Sequence, residues 1–334
     1  MLRKSWPLVA ALLAGLLPAA ANAQAKQEIK ITRQPGIVYT PSHILESRKL
    51  IEKHAAALGV PDLKVEWINF AGGGAATDAL LSGNVDIVNT GTGNMLLLWD
   101  RTKGGVKGIV ATSALPLVLV TRNPAIKSLK DYGPADKIAV PTVKVSTQAI
   151  LLQMAAEKEF GAGQYGKLDP NTVQLGHPDA AAALMNASHE VTSHFSAPPF
   201  VFQTLKAVPA ARVILSSEDI IGGPLTVASM FTTTKFADDN PKLVQAIKAA
   251  SAEAVALIKS NPREAMEIYK EVTKDRAAVE DLVDIMKQPG MNFDTKPQGT
   301  MKFAEHLNKT GTLKMKPAAW TDYFLPIAHD LNGN

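Results

Sequence analysis

The chain has 334 residues, a formal net charge of +4, no cysteine and only 6% aromatic residues. The absence of cysteine excludes disulfides, a thiolate nucleophile and a cysteine metal centre, and the length suits one or two domains with cores of their own. Because no lysine- and arginine-rich run is interleaved with aromatic residues, the sequence does not favour a nucleic-acid-binding protein.

The N-terminal segment has the pattern of a secretory signal peptide. Arg3 and Lys4 precede the apolar run 8–17, and small residues lead up to Ala23. The apolar run is shorter than the roughly 20 residues that a bilayer-spanning helix needs, so a membrane anchor is the less favoured alternative. We predict a signal peptide over 1–23 and a soluble protein in a bacterial periplasm.

From Glu28 onward, short apolar strands alternate with helical patterns, which is typical of an α/β fold with mainly parallel sheets. A helix is predicted over 42–58, with Ser42 as its N-cap and Gly59 as its stop. The strands predicted in the first half are 29–32, 63–68, 85–88, 108–112 and 117–121.

Two corners in the segment 70–94 favour a ligand site more than any other stretch does. The triple glycine 72–74 opens a short helix, and the corner 90–94 follows a buried strand and opens a second helix. Glycine allows the backbone to approach a ligand closely, and the amides of a first helical turn favour a negatively charged or strongly polar group. Both helix starts are expected to face the same place.

The second half repeats the alternation of strands and helices. A long helix is predicted from Ser146 to Phe160, and from Asn240 onward the pattern is almost purely helical, with this part packing onto the first domain. The strands predicted in this half are 137–140, 173–175, 191–195, 213–215 and 226–231. The last of these is expected to return to the first unit.

A chain that leaves one α/β unit, completes a second and then returns needs two connections between the units. We predict a discontinuous lobe 1, 24–115 and 225–334, and a lobe 2, 122–216. The connections, near 114–123 and 216–226, contain proline or glycine, which suits a hinged clamshell. The alternative is a rigid enzyme of similar topology with its site between the domains.

Four segments, in this order, resemble those of periplasmic substrate-binding proteins of ABC importers, in the nitrate/sulfonate/taurine/bicarbonate-type branch. They are the triple-glycine corner with the residues up to 87, and the segments 126–131, 178–184 and 240–244. The resemblance implies a two-lobed clamshell of type II with two hinge-crossing strands. Such a protein delivers a small molecule to a membrane permease and catalyses no reaction. The segments 143–148 and 188–195 depart from the branch, so the ligand is expected to be unusual for it.

The candidate ligand-binding residues lie at strand ends and helix starts. They are Gln34, Gly36, Tyr39, Gly72, Gly73, Gly74, Thr90, Thr92, Asn94, Ser146, Thr147, His194 and Phe195. Each has a structural alternative: the glycines serve turns, Ser146 caps a helix and His194 is a buried structural histidine. Several helix starts acting together could hold a small oxyanion without a full counter-charge, and a protonated His194 would strengthen its hydrogen bond to an anion.

The function predicted is the capture of a small anionic or strongly polar solute, such as a sulfonate, nitrate or taurine. A neutral or zwitterionic heterocycle stacked on Phe195, Tyr39 or Trp67 is the alternative within the class. An exported enzyme and a ligand sensor are alternatives outside it. His189 and His194 are five residues apart, which does not fit a zinc-protease helix, and no nucleophile elbow or P-loop occurs. We therefore expect no catalytic residue, no cofactor, no metal and a monomeric protein.

Overall fold

The structure is a computed structural model that describes residues 26–334, so the predicted signal peptide lies outside the described residues. Within this range the strands are β1 (Glu28–Arg33), β2 (Lys64–Asn69), β3 (Val88–Gly91), β4 (Val106–Ser113), β5 (Val118–Thr121), β6 (Lys137–Val140), β7 (Thr172–Gln174), β8 (Val191–Ser196), β9 (Arg212–Ser216) and β10 (Ala228–Thr233). The helices are α1 (Thr40–Ser47), α2 (Leu50–Ala57), α3 (Gly73–Leu81), α4 (Thr92–Arg101), α5 (Thr147–Phe160), α6 (His177–Met185), α7 (Phe200–Ala207), α8 (Ser217–Ile221), α9 (Thr234–Asp239), α10 (Pro241–Ser260), α11 (Pro262–Thr273), α12 (Val279–Met286) and α13 (Thr300–Lys309).

The strands form two separate groups. In the first, β1 pairs in parallel with β2, and β10 lies between β3 and β4 and runs antiparallel to both. The second is one sheet of order β7-β6-β8-β5-β9, in which β6 is parallel to its neighbours and β5 is antiparallel to its own. We call the first group with its helices lobe 1 and the second lobe 2. The predicted α/β class is confirmed, but the sheets are mixed rather than mainly parallel, because β5 and β10 each enter from the other lobe against the local strand direction.

Two predicted elements differ most from the structure. The single helix expected over 42–58 is divided into α1 and α2, because Lys49 adopts a left-handed conformation with φ of 48°. Ser42 lies inside α1 and donates its hydroxyl hydrogen to the Tyr39 carbonyl at 2.8 Å, so the predicted N-cap is wrong. The strand expected over 85–88 is β3, which begins only at Val88.

The helical C-terminal part packs onto lobe 1, as predicted. Helices α10 and α11 begin at Pro241 and Pro262, where the missing proline N–H leaves no intrahelical bond unmade. Helix α10 lies against α1, α2 and β4, and its apolar face, including Ile247 and Ala250, is completely buried. None of the helices within residues 26–334 has the length and apolar character needed to cross a membrane.

Two segments connect the lobes and lie side by side. The first is 114–117, between β4 and β5, and the second is 217–227, which contains α8. The N–H of Ser217 donates to the Leu117 carbonyl at 2.8 Å, and the Leu117 N–H donates to the Ser217 Oγ at 3.1 Å. Strand β5, which the predicted connection 114–123 included, is a full member of the lobe 2 sheet.

The lobes also contact each other away from these connections. The N–H of Ile37 in lobe 1 donates to the Pro198 carbonyl in lobe 2 at 3.1 Å. The N–H of Gly93 at the start of α4 donates to Thr147 Oγ1 at the start of α5 at 3.2 Å. Because both bonds join the edges of the cleft, the structure shows the lobes in a closed arrangement.

Candidate functional site

A cavity lies where the two lobes meet, and both lobes contribute to its wall. Its volume is about 30 Å³, and a single water molecule needs roughly 10–15 Å³. The closed arrangement therefore has room for a group of only a few heavy atoms. The lining residues are Gln34, Pro35, Gly36, Val38, Tyr39, Ala71, Gly73, Thr90, Gly91, Asn94, Leu117, Pro141, Ser146, Gln148, His177, Ala197, Pro198 and Val227.

The central part of the lobe 1 wall is formed by the starts of α3 and α4. Gly73 begins α3, and a Cβ at this position would lie 2.4 Å from Thr90 Oγ1 and 2.7 Å from Asn94 Oδ1. Only glycine therefore fits between these two side chains without displacing them. Thr90 is the second-last residue of β3, and Asn94 lies in the first turn of α4. Both residues line the cavity.

The rest of the lobe 1 wall is the loop that follows β1. Gln34 donates from Nε2 to the Asn89 carbonyl at 2.9 Å, which ties the loop to β3. Gly36 has φ of 115°, a value that favours glycine, and a Cβ there would lie 3.3 Å from the Phe200 ring. Burial raises the pKa of Tyr39 to about 12, while a hydrogen bond with Thr90 opposes the rise. The Tyr39 hydroxyl therefore stays protonated at neutral pH and can donate a hydrogen bond.

The lobe 2 wall combines a helix start with two polar side chains. Ser146 is the N-cap of α5 and accepts a hydrogen bond from the Ala149 N–H at 3.2 Å. The capping role given above as the alternative to ligand binding is therefore present, and Ser146 also lines the cavity. Gln148, in the first turn of the same helix, lies 3.1 Å from His177 through the Nε2 atoms of the two side chains. His177 is the first residue of α6, and its ring stacks on Phe200 with an angle of 13° between the planes.

His194 lies behind His177 rather than on the cavity wall. It is completely buried in β8, and its Nε2 lies 2.8 Å from His177 Nδ1. Burial lowers the pKa of His177 to about 4. Burial and the neighbouring His177 lower the pKa of His194 well below its ordinary range. Both rings are therefore neutral at neutral pH, so the additional strength that a protonated His194 would give to a hydrogen bond is not available there.

The structure brings seven of the predicted residues together at the cavity: Gln34, Gly36, Tyr39, Gly73, Thr90, Asn94 and Ser146. Six others do not line it: Gly72, Gly74, Thr92, Thr147, His194 and Phe195. Thr92 donates to the Thr226 carbonyl at 2.7 Å, and Thr147 bonds across to lobe 1. Phe195 is completely buried in the core, so of the three rings proposed to stack on a heterocycle only Tyr39 lines the cavity.

Gly72 and Gly74 have a role at the edge of the cleft. A Cβ at Gly72 would lie 3.3 Å from the Pro141 carbonyl oxygen, and one at Gly74 would lie 3.1 Å from Thr142 Cγ2. Both neighbours belong to lobe 2. These two glycines therefore allow the start of α3 to approach the loop after β6 closely.

Gln148 and His177 line the cavity but do not belong to the predicted set of ligand-binding residues. Gln148 is two residues after the N-cap Ser146, so the first-turn position that suggested Ser146 and Thr147 could also have suggested Gln148. His177 follows Gly176 and precedes a proline, a pattern that marks a helix start after a strand. That signal places the ring near a strand end but does not indicate its orientation.

The electrostatic character of the cavity comes from dipoles rather than from charged side chains. Residues of the first turns of α3, α4, α5 and α6 line it, and the N-terminus of a helix carries partial positive charge. No Asp, Glu, Lys or Arg is found among the lining residues in the described part of the chain. Residues 26–334 also contain no group of three or more His, Asp or Glu side chains placed to hold a metal ion.

Solved structures share this fold. The alkanesulfonate-binding protein SsuA of Xanthomonas axonopodis pv. citri, bound to MOPS, matches with a TM-score of 0.68 at 15% identity, over 88% of this chain and 96% of that one. The periplasmic nitrate-binding protein NrtA of Synechocystis PCC 6803 matches with a TM-score of 0.64 at 17% identity, over 91% of this chain and 85% of that one. The chain therefore has the periplasmic-binding-protein fold, and the predicted fold class is confirmed.

Comparison of the sequence with family models gives a more specific result. The model of the NMT1-like family matches residues 22–273, which is well over half of the chain. The protein therefore belongs to the NMT1-like family. Among curated proteins, serine hydroxymethyltransferase 1 of Pseudomonas aeruginosa is 27% identical over 172 residues, which is 50% of this chain but only 39% of that protein. The chain thus spans about two fifths of the length of this relative.

Proposed function

We propose that this protein is the periplasmic solute-binding component of an ABC importer and that it captures a small anionic or polar solute of the sulfonate, nitrate or taurine kind. The observation that carries the proposal is a neutral cavity between two lobes, lined by the starts of four helices. The resemblance of the fold to sulfonate- and nitrate-binding proteins supports it.

The donors at the cavity suit an oxyanion. Backbone N–H groups at helix starts, with the helix dipoles behind them, can replace the water that a small anion loses on binding. The Tyr39 hydroxyl and the Asn94 amide group add side-chain donors on the lobe 1 wall, and the Gln148 amide group adds one on the lobe 2 wall. The lining contains no carboxylate that would repel an anion. Recognition then requires no full counter-charge.

The small volume of the cavity bears on how the ligand enters and leaves. A solute held in about 30 Å³ between contacting lobes would enter and leave by separation of the lobes. The segments 114–117 and 217–227 are the backbone links that would bend, and lobe 1 and lobe 2 as predicted would then move as rigid bodies. In the closed form, both lobes would present one composite surface to a membrane permease.

A second candidate is a neutral or zwitterionic heterocycle, such as a pyrimidine. It is favoured by the same lack of cationic side chains, together with the amide groups of Gln34, Asn94 and Gln148 and the ring of His177. These groups can donate and accept hydrogen bonds at the edge of a heterocycle. The two candidates differ in charge, so they can be separated by competition.

The test is a binding panel on residues 24–334, with nitrate, methanesulfonate, taurine and uracil measured by thermal shift and calorimetry. A ligand at about 100 times its Kd raises the free energy of unfolding by roughly 2.7 kcal/mol. Stabilisation by the anions and competition between them support the oxyanion proposal. Stabilisation by uracil alone supports the heterocycle, and no response to any of the four contradicts both.

A variant pair ties the binding to this cavity. Thr90→Val removes a hydroxyl from the lobe 1 wall, and Thr192→Val removes a buried strand hydroxyl that lies away from the cavity and has no hydrogen-bond partner. A hydrogen bond to a charged group contributes about 1.5–3 kcal/mol, so Thr90→Val should weaken anion binding by at least tenfold. Thr192→Val should leave it unchanged, and equal affinities of the two variants would place the ligand elsewhere.

A further inference from the structure

Three polar side chains form a buried chain that runs from the cavity into lobe 2. Gln148 contacts His177 Nε2 at 3.1 Å, and His177 Nδ1 contacts His194 Nε2 at 2.8 Å. The chain ends at His194 Nδ1, which is buried and has no hydrogen-bond partner. The two imidazole planes are tilted by 43°, with ring centroids 5.0 Å apart.

Neutral rings allow two proton arrangements along this chain. In one, His177 donates from Nδ1 and His194 carries its own proton on Nδ1, which leaves a buried N–H without an acceptor. In the other, His194 donates from Nε2 to His177 Nδ1. The Nδ1 atom of His194 is then unprotonated, and His177 carries its proton on Nε2. The atom without a partner is thus a donor in the first arrangement and an acceptor in the second.

The second arrangement is the more stable for two reasons. Buried N–H groups without an acceptor are rarer in native proteins than acceptors that lack a donor. The Nε2–H form is also the more stable tautomer of a free histidine side chain, and the second arrangement gives it to both rings. We propose that His194 is a positioning residue that holds His177 in its Nε2–H form and so makes the lobe 2 wall a hydrogen-bond donor to an oxygen of the ligand.

The orientation of Gln148 follows from this arrangement. In the structure the Gln148 amide nitrogen faces His177 Nε2, the orientation that suits the first arrangement. The second arrangement requires a half-turn of the amide group, after which its oxygen accepts from His177 Nε2–H and its nitrogen faces the cavity. The lobe 2 wall then presents the Gln148 N–H groups to the ligand. The opposite arrangement would present the Gln148 oxygen and would suit a ligand N–H. This inference rests on the proposed function, and it assigns the lobe 2 wall to ligand oxygens.

The first experiment measures the tautomer in the ligand-free protein. Long-range proton–nitrogen NMR of protein labelled with nitrogen-15 in its histidines distinguishes protonated from bare ring nitrogens, and the His177→Gln variant assigns the signal. The expected result at pH 7 is a bare Nδ1 and a protonated Nε2 in His177. A protonated Nδ1 overturns the inference, even if anions bind.

The second experiment uses a pair of variants at His194. His194→Gln retains an N–H that can donate to His177 Nδ1, whereas His194→Phe removes it and keeps a ring of similar bulk. We expect His194→Phe to yield a mixture of His177 tautomers and about tenfold weaker methanesulfonate binding, with His194→Gln within threefold of the parent protein. An unchanged tautomer in folded His194→Phe overturns the role of His194. Should that variant not fold, failure of His194→Gln to retain the tautomer overturns it.

The two proposals fail in different ways. If neither nitrate nor methanesulfonate binds the parent protein, the proposed function is contradicted, and the NMR measurement still tests the proton arrangement because it needs no ligand. If the anions bind but His177 is protonated on Nδ1, the inference is overturned, and the helix starts with the side-chain donors of lobe 1 account for binding.

Discussion

The two walls of the cavity are built on different principles. The lobe 1 wall depends on the backbone: Gly73 fits between Thr90 and Asn94 because it has no side chain, and Gly36 has a backbone conformation that favours glycine. The lobe 2 wall depends on side chains: Gln148 and His177 project from two helix starts and are oriented by what lies behind them. Backbone conformation therefore sets the shape of the lobe 1 wall, whereas contacts between side chains set the direction of the hydrogen bonds that the lobe 2 wall can make.

The largest effect expected from this difference is at Gly73. In Gly73→Ala the new Cβ would lie 2.4 Å from Thr90 Oγ1, so the side chains of the lobe 1 wall must move. We expect at least a 100-fold loss of affinity for the anion identified in the binding panel, measured by calorimetry. Gly133→Ala is the control, because a Cβ there has its nearest neighbour at 3.6 Å. Parent-like affinity of Gly73→Ala would show that this wall does not set the shape of the site.

The second prediction compares how much folding stability the buried histidines of the two lobes cost as the pH falls. Burial lowers the pKa of His43 in lobe 1 to about 3, and the pKa values of His177 and His194 in lobe 2 are lowered as well. A histidine whose folded pKa lies below its unfolded value of about 6.5 binds fewer protons when folded, so stability is present above pH 6.5 and is lost as the pH falls towards the folded pKa. Each such histidine should cost about 1 kcal/mol of stability between pH 6.5 and 5.5.

The measurement is urea unfolding at pH 6.5 and 5.5. The loss of stability over this range should shrink by about 2 kcal/mol in the double variant His177→Gln, His194→Gln and by about 1 kcal/mol in His43→Gln. The same loss in all three proteins would show that these rings are not neutral when folded. If the variants do not fold, NMR titration of the parent protein gives the pKa values directly.

A smaller effect is expected from removing the polar character of lobe 2. Gln148→Leu keeps the approximate volume but removes the amide group that faces the cavity, and one hydrogen bond to a charged ligand contributes about 1.5–3 kcal/mol. We expect about tenfold weaker anion binding by calorimetry. Gln203→Leu, on α7 and away from the cavity, should bind as the parent does. Unchanged affinity in Gln148→Leu would mean that lobe 1 alone holds the ligand.

The same difference explains which parts of the site the sequence predicts. Gly73, Thr90 and Asn94 are predictable because glycine corners and strand-to-helix transitions follow from the local conformation that those residues need. The orientations of Gln148 and His177 are not predictable in this way, because they depend on a contact between α5 and α6, which are far apart in sequence. His194 lies on the expected strand, but its burial behind another ring follows only from the packing of β8 against α6.

The fold follows a similar rule. Most strands of both lobes were predicted within a few residues, since each is a short apolar run between turn residues. The break between α1 and α2 at Lys49 is not predictable, because a lysine gives no sequence signal for a left-handed conformation. The mixed sheets were missed too, because strand direction in β5 and β10 depends on the path of the chain between the lobes.

The smallest predicted effect tests the contact between the two walls. Thr147 Oγ1 accepts the Gly93 N–H across the cleft, and Thr147→Val removes this acceptor with little change in volume. A typical net hydrogen bond contributes about 0.5–1.5 kcal/mol, and this one forms only in the closed arrangement, so its loss lowers the closed population and the apparent affinity by about threefold to tenfold. Thr147→Ser retains the oxygen and should restore the affinity. Small-angle scattering at saturating ligand should show the same closed form in all three proteins, because excess ligand compensates for the weaker contact. Parent-like affinity in Thr147→Val would mean that the hydrogen bond does not contribute to closure.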